Sequence, residues 1–182
     1  PYFLHLRSER TLPAYHYLRR FNGKVFLGAF GTDYYYIRAC METDTYRYSD
    51  FKTGNCYRDT DFNKMTLQDW YYGGAAHATR TIAESCNGIM ACLWEYYVAY
   101  QLLFPEKTAF VPLPINLHKI VSRIRTVPEI LNFFIGIQNF KDTVKGTDVM
   151  LPVLQEVQRK HPDLCRITEV HDVPYARYQQ LM

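Results

Sequence analysis

The stretch CNGIMACLWEYYVAYQLLF, residues 86–104, is the most apolar part of the chain and carries Glu95 near its centre. A membrane-spanning helix needs about 20 mostly apolar residues, and an acidic side chain at mid-bilayer costs at least about 2.5 kcal/mol. A lone span exposed to lipid is therefore a poor interpretation. Three alternatives remain: a helix buried across a sheet, a helix embedded among the helices of other subunits, or one wall of a catalytic site.

The spacing of apolar residues predicts one long helix over residues 66–104. Thr66 and Asp69 resemble a capping box, and the next proline is Pro105. Apolar side chains then recur at steps of three and four residues, which is typical of a helix with one buried face. The members of this stripe are Ile82, Cys86, Ile89, Leu93, Tyr97, Tyr100 and Phe104.

The segments on either side predict an α+β fold. Residues 23–60 are rich in aromatic and β-branched residues with glycine between them, which favours a small antiparallel sheet that includes a strand at residues 34–36. After the long helix, patterns at 117–125, 129–140 and 147–161 predict two or three C-terminal helices, and the tail predicts a last strand. We expect an arm at 1–22, one α+β domain at 23–170 and an extension at 171–182.

Composition limits the kinds of partner. The chain has 16 Tyr and 11 Phe, and such rings are enriched at protein interfaces and at membrane surfaces. The formal net charge is only +3, with no long run of like charges, so no nucleic-acid partner is expected.

Cysteine and metal-ligand patterns give little support for a cofactor or metal. The five cysteines form no Cys-x-x-Cys pair, so we expect mostly reduced, buried thiols, with a Cys40 to Cys56 disulfide as the alternative. Glu169 and His171 could share one face of a strand, but two ligands do not define a metal site. We predict no cofactor, no metal and no catalytic residue.

The sequence favours a non-catalytic subunit of a larger assembly, such as an organellar inner-membrane complex of respiration or ATP synthesis. In this interpretation the 86–104 helix packs against other subunits, and the protein is a mitochondrial inner-membrane component with protein partners and some lipid contact. The residues expected to contact partners or membrane are Leu93, Trp94, Tyr97, Tyr100, Lys119, Arg123 and Arg125.

The alternative is an enzyme or small-ligand-binding domain whose pocket lies between the 34–36 strand and a polar face of the long helix. A stripe of ionisable residues on that face is compatible with a site, although its more ordinary meaning is a solvated surface. The ligand-binding candidates are Tyr34, Tyr36, His77, Arg80, Glu84 and Glu95.

Overall fold

The computed structural model describes residues 8–114, 129–138 and 145–181, and the chain divides into two compact units, Pro1–Ile115 and Asn116–Met182. We call these the N-terminal and C-terminal units. The predicted α+β class is confirmed. The boundary between the units falls inside the region predicted to be a single domain, in the segment that follows the proline-containing connector at 105–114. The predicted basic helix at 117–125 lies outside the described residues.

The N-terminal unit is built on a parallel sheet. Its elements are α1 (Ser8–Phe21), β1 (Phe26–Ala29), α2 (Tyr34–Glu42), β2 (Lys52–Thr53), β3 (Cys56–Tyr57), α3 (Asp61–Trp70), α4 (Gly74–Ser85), β4 (Gly88–Ala91), α5 (Trp94–Gln101) and β5 (Thr108–Phe110). The sheet order is β1-β4-β5, and both pairings are parallel. Parallel neighbours need crossover connections, which the helices between these strands provide.

The antiparallel prediction for residues 23–60 holds for the short β2–β3 hairpin and the bridge between Tyr48 and Thr53, and the hairpin turn contains Gly54 in the left-handed region at φ 58°. Residues 34–36 form the start of α2, where a strand was predicted. Asp33 precedes the helix, and its Oδ1 accepts hydrogen bonds from the backbone N–H groups of Tyr35 and Tyr36 at 3.0 and 3.1 Å. This N-cap outweighs the preference of aromatic residues for strands.

The predicted long helix is divided into α3, α4 and α5, with strand β4 between the last two. Helix α4 ends at Ser85, and the Asn87 side chain then accepts a hydrogen bond from the backbone N–H of Val25 at 2.9 Å. This contact fixes the turn before β4. A central parallel strand is covered on both faces, so its sequence is continuously apolar and has no period of two. That is why this run resembled a buried or embedded helix.

Two groups of buried side chains form the core of the N-terminal unit. The first joins the sheet to α1, α4 and α5 and includes Ile89, which is 1% exposed, and Tyr100, which is 0% exposed. The second lies around α2 and includes Ile37, Cys40 and Phe51. Residues 8–21 of the predicted N-terminal arm form helix α1, which joins the first of these two groups through Tyr15. The Tyr15 hydroxyl lies 2.8 Å from the Ser85 hydroxyl.

The described residues of the C-terminal unit have a β-α-β-α order: β6 (Leu131–Ile137), α6 (Thr147–Lys160), β7 (Cys165–His171) and α7 (Tyr175–Leu181). Strands β6 and β7 pair in parallel from Leu131 opposite Cys165 to Ile137 opposite His171. The helix predicted at 147–161 and the last strand are confirmed. The prediction of a buried helix at 129–140 is wrong, because this apolar run contains strand β6, which pairs with β7 in a sheet.

Candidate functional site

A cleft of about 440 Å³ lies at the carboxyl ends of β6 and β7 in the C-terminal unit. Gln138 directly follows β6, and Asp172 directly follows β7. In open α/β sheets, ligands bind outside the carboxyl ends of the parallel strands, because the loops and helix N-termini there point toward one crevice. The cleft therefore has the location expected of a ligand site.

One side of the cleft is electropositive. Lys145 lies beside the N-terminus of α6, and its Nζ donates a hydrogen bond to Gln138 Oε1 at 2.9 Å. Gly146 adopts φ 69° at the N-cap, and it offers no side chain to cap the first amides of the helix. Exposed N–H groups at a helix N-terminus, together with the helix dipole, favour an anion. Asp148 in the first turn partly offsets this field.

The other side of the cleft is aromatic. Tyr175 and Tyr178 of α7 line it, and the Tyr178 ring packs edge-on against Phe134 of β6 with the ring centroids 5.1 Å apart. Gly136 permits this arrangement, because a Cβ at that position would lie 2.5 Å from the Tyr178 ring. Asp172, at φ 43°, follows β7 with its backbone N–H bonded to the Ile137 carbonyl at 3.1 Å.

These groups together suit a ligand that has an anionic part and a flat or hydroxylated part. Lys145 and the α6 N-terminus can hold an oxyanion, a tyrosine ring can stack on a planar group, and the Asp172 carboxylate can accept hydrogen bonds from hydroxyls. Dinucleotide-binding β-α-β units use the same order: an anion at the first helix and an acidic residue after the second strand. The Gly-x-Gly-x-x-Gly spacing of that class is absent from this sequence.

The predicted ligand-binding residues lie in the N-terminal unit and do not line this cleft. Arg80 of α4 lies over the ring of Tyr34 at 5.4 Å from its centroid, whereas Tyr36 is buried in the core around α2. His77 and Glu84 are exposed on α4, which agrees with a solvated face. Glu95 lies in the first turn of α5, and its backbone carbonyl accepts a hydrogen bond from the Tyr46 hydroxyl.

The predicted partner contacts differ in their exposure to solvent. Leu93 and Trp94 are 44% and 62% exposed, and Trp94 and Tyr97 pack around Phe110. Tyr100 is fully buried, so its assignment to a contact surface is corrected: its hydroxyl donates a hydrogen bond to Asp33 Oδ2 at 2.7 Å. The remaining predicted contacts, Lys119, Arg123 and Arg125, lie outside the described residues.

Asp33 is the most unusual ionisable group of the N-terminal unit. Burial of the carboxyl group raises its pKa above the ordinary value, and the hydrogen bonds from Tyr100, Tyr36 and Tyr35 only partly oppose this effect. Through these hydrogen bonds, the Asp33 carboxyl group connects the N-terminus of α2 to α5. All its described partners come from its own fold, which indicates a structural role.

Other candidate chemistry is weak. Within residues 8–114, 129–138 and 145–181, no group of three or more His, Cys, Asp or Glu could hold a metal ion. Glu169 and His171 approach to 3.6 Å at the surface. All five cysteines are free, and burial raises the pKa of the Cys40 thiol to about 11. In the same described part of the chain, no helix is both long and apolar enough to cross a bilayer.

Sequence reasoning missed the cleft because β6 was predicted as a helix, which removed the parallel strands that define the site. The usable signal was Lys145 next to the Gly146-Thr147 helix start, directly after an apolar run that could have been a strand. No protein-family model matches the chain, and comparisons with curated proteins and with solved structures give no match either.

Proposed function

We propose that the protein is an enzyme or binding protein whose C-terminal unit takes a small phosphate-bearing ligand of the nucleotide class at the carboxyl edge of β6–β7. The observation that carries the proposal is the cleft of about 440 Å³ lined by both Lys145 and the end of a parallel β-α-β unit. Its volume lies in the usual range for small-ligand pockets, about 300–1,000 Å³.

The nucleotide class follows from three features of one cleft. The phosphate faces Lys145, which lines the cleft, and α6 begins two residues after Lys145, so the helix dipole adds to the positive potential there. Tyr175 or Tyr178 packs against the base, because an aromatic ring stacks on any planar heterocycle. Asp172 accepts hydrogen bonds from sugar hydroxyls.

Replacing Lys145 by glutamine should weaken phosphate-dependent binding about ten- to a hundredfold, the usual loss for a hydrogen bond to a charged group. The measurement is calorimetric titration of the full chain with inorganic pyrophosphate, nucleoside diphosphates and the matching unphosphorylated nucleosides. We expect the diphosphates to bind more tightly than the nucleosides, and the variant to remove most of that difference.

Lys160→Gln is the matched control, because Lys160 lies at the opposite end of the same helix and pairs with Glu156 at the surface. This variant should retain the wild-type affinity. Equal losses of affinity in the two variants would indicate that the ligand is attracted by the overall positive charge of the protein and not by a specific site. Absence of any difference between nucleoside and nucleoside diphosphate would refute the proposal.

A second candidate function is the non-catalytic assembly subunit that the sequence favoured. The observation that supports it is the exposed apolar group at the ends of β4 and β5, formed by Leu93, Trp94 and Phe110. Residues 86–104 are divided between β4 and α5, so a long apolar helix no longer supports this function. The exposed apolar side chains are the remaining support. Sedimentation velocity of the purified chain tests it: a subunit separated from its partners should aggregate in a Trp94-dependent way, whereas a compact monomer over a wide concentration range would contradict this function.

A further inference from the structure

Helix α1 has two apolar faces, and only one of them is covered by the fold. Its inner face carries Thr11 and Tyr15, which are 4% and 5% exposed and pack toward α4. A second face, about 110° around the helix, carries positions 10, 14, 17 and 21, whose spacing of four, three and four residues places them in one stripe. We call these four residues, Arg10, Ala14, Tyr17 and Phe21, the outer stripe.

The outer stripe exposes large rings beside cations. Tyr17 and Phe21 are 67% and 64% exposed, and their ring centroids lie 4.8 Å apart. The Arg20 guanidinium lies over the Phe21 ring, 5.7 Å from its centroid. Single exposed apolar residues are common, but two paired rings flanked by arginines form a composite surface that residues 8–114 leave uncovered.

Positive charge predominates around this surface, although α1 also contains the acid Glu9. Residues 10–32 contain Arg10, Arg19, Arg20 and Lys24 and not one Asp or Glu. Helices that lie in the headgroup region of a membrane combine these features: Lys and Arg that attract anionic lipid, and aromatic rings that enter the boundary with the acyl chains. A second copy of the chain is a poor occupant, because pairing two such faces would bring arginines against arginines.

We infer that the outer stripe of α1, with Arg20, is a docking surface for an anionic membrane, on which the protein binds peripherally. The rings of Tyr17 and Phe21 enter the interface, and Arg10 and Arg20 contact lipid phosphates. Arg19 is excluded from this role, because its guanidinium donates a hydrogen bond to Asn87 Oδ1 at 3.0 Å and thereby joins α1 to the turn before β4.

The experiment is co-sedimentation of the full chain with vesicles of phosphatidylcholine alone, or of phosphatidylcholine and phosphatidylglycerol in equal amounts. The wild type should bind the anionic vesicles preferentially and be released as salt approaches about 1 M, where the screening length is about 3 Å. Arg10→Gln with Arg20→Gln should lower partitioning about thirtyfold, given the usual effect of a basic residue near an anionic surface. Tyr17→Ser with Phe21→Ser should lower it about tenfold or more through lost apolar burial.

The chain offers a matched control elsewhere on the N-terminal unit. Arg47 lies over the ring of Tyr48, 5.4 Å from its centroid, and Tyr48 is 64% exposed, so the pair has the same chemistry at a different place. Arg47→Gln with Tyr48→Ser should leave partitioning unchanged. Circular dichroism and thermal melts establish that every variant is folded, which is expected because the replaced side chains are exposed.

Three results would overturn the inference. The first is equal binding, or none, to neutral and anionic vesicles. The second is a loss in the Arg47 and Tyr48 control as large as in the outer-stripe variants. The third is a dimer that only the Tyr17 and Phe21 variant abolishes, which would assign this face to a second copy of the chain.

Discussion

Replacing Ile89 by alanine should lower the free energy of unfolding by about 2–5 kcal/mol, the range for truncating a buried isoleucine to alanine. Ile89 is 1% exposed at the centre of the sheet, and it pairs with Leu27 of β1 and Thr108 of β5. The loss has two parts, the transfer free energy of the removed methyl and methylene groups and the cavity left in the core formed by the sheet and its helices. Urea unfolding followed by tryptophan fluorescence measures it, because both tryptophans, Trp70 and Trp94, belong to the N-terminal unit.

Leu93→Ala is the control that separates the two interpretations of residues 86–104. Ile89 and Leu93 are four residues apart, so on the predicted long helix they would share one face and respond alike. In the strand-turn-helix arrangement Leu93 is 44% exposed, and its truncation should cost less than about 1 kcal/mol. Similar losses for the two variants would contradict the placement of β4 in the sheet.

Replacing Asp33 by alanine should cost about 2–4 kcal/mol. The change removes the N-cap of α2, which is usually worth about 1 kcal/mol, and it leaves the hydroxyl of the fully buried Tyr100 without its acceptor, at about 1–3 kcal/mol. The measurement is the same urea titration, at a pH near 4, where the contribution of Asp33 to stability is nearly complete. A loss below about 1 kcal/mol would contradict the assigned connection between α2 and α5.

Asparagine at position 33 is the matched variant. Its side-chain oxygen can still accept from the backbone N–H groups of Tyr35 and Tyr36, its amide can donate to the Tyr100 hydroxyl, and it carries no charge to desolvate. Asp33→Asn should therefore be much less destabilising than Asp33→Ala.

The pH dependence of the two proteins gives the sign of the Asp33 effect. Burial raises the pKa of Asp33 in the folded state, so the folded protein binds this proton more tightly than the unfolded chain does. Its contribution to stability is then complete below the ordinary carboxyl pKa and is lost as the pH rises through the raised value. We expect wild type to lose stability relative to Asp33→Asn as the pH is raised from about 4 toward neutrality. A difference in stability between the two proteins that stays constant with pH would show that the carboxyl group is not desolvated.

Elements whose two ends are clearly marked in the sequence were predictable. Helix α6 is the best example: Gly146 and Thr147 mark its beginning, apolar residues follow at helical spacing, and the helix ends at Lys160, directly before His161 and Pro162. The last strand, β7, was predicted for a similar reason, because its run of β-branched residues is short and bounded. Local chemistry decides such elements, so no knowledge of their neighbours was needed.

The parallel strands β4 and β6 were not predictable in the same way. Each is an apolar run without strict alternation of apolar and polar residues, and such a run has the composition of a buried helix. The sequences GIMA in β4 and LNFFIGI in β6 contain no proline or strong turn signal that would distinguish a strand from a buried helix. Only the pairing with distant strands separates the two structures, and that pairing is not encoded within either run.

The candidate site depended on those same strands. With β6 taken as a helix, Gln138, Lys145 and Asp172 had no reason to meet, although each was visible in the sequence. Parallel pairing of β6 with β7 brings the ends of both strands to one edge, where the three residues line a single cleft. By contrast, the polar stripe on α4 was visible as a pattern but lies on an exposed helix face.

The most direct test of the proposed ligand site is an amide chemical-shift titration of the ¹⁵N-labelled full chain with inorganic pyrophosphate. We predict saturable shifts of the backbone amides of Gly146, Thr147 and Asp148, at the N-terminus of α6, and their loss in Lys145→Gln. Shifts confined to the arginine-rich helix α1, or no saturable shift at all, would contradict an anion site at the carboxyl edge of β6–β7.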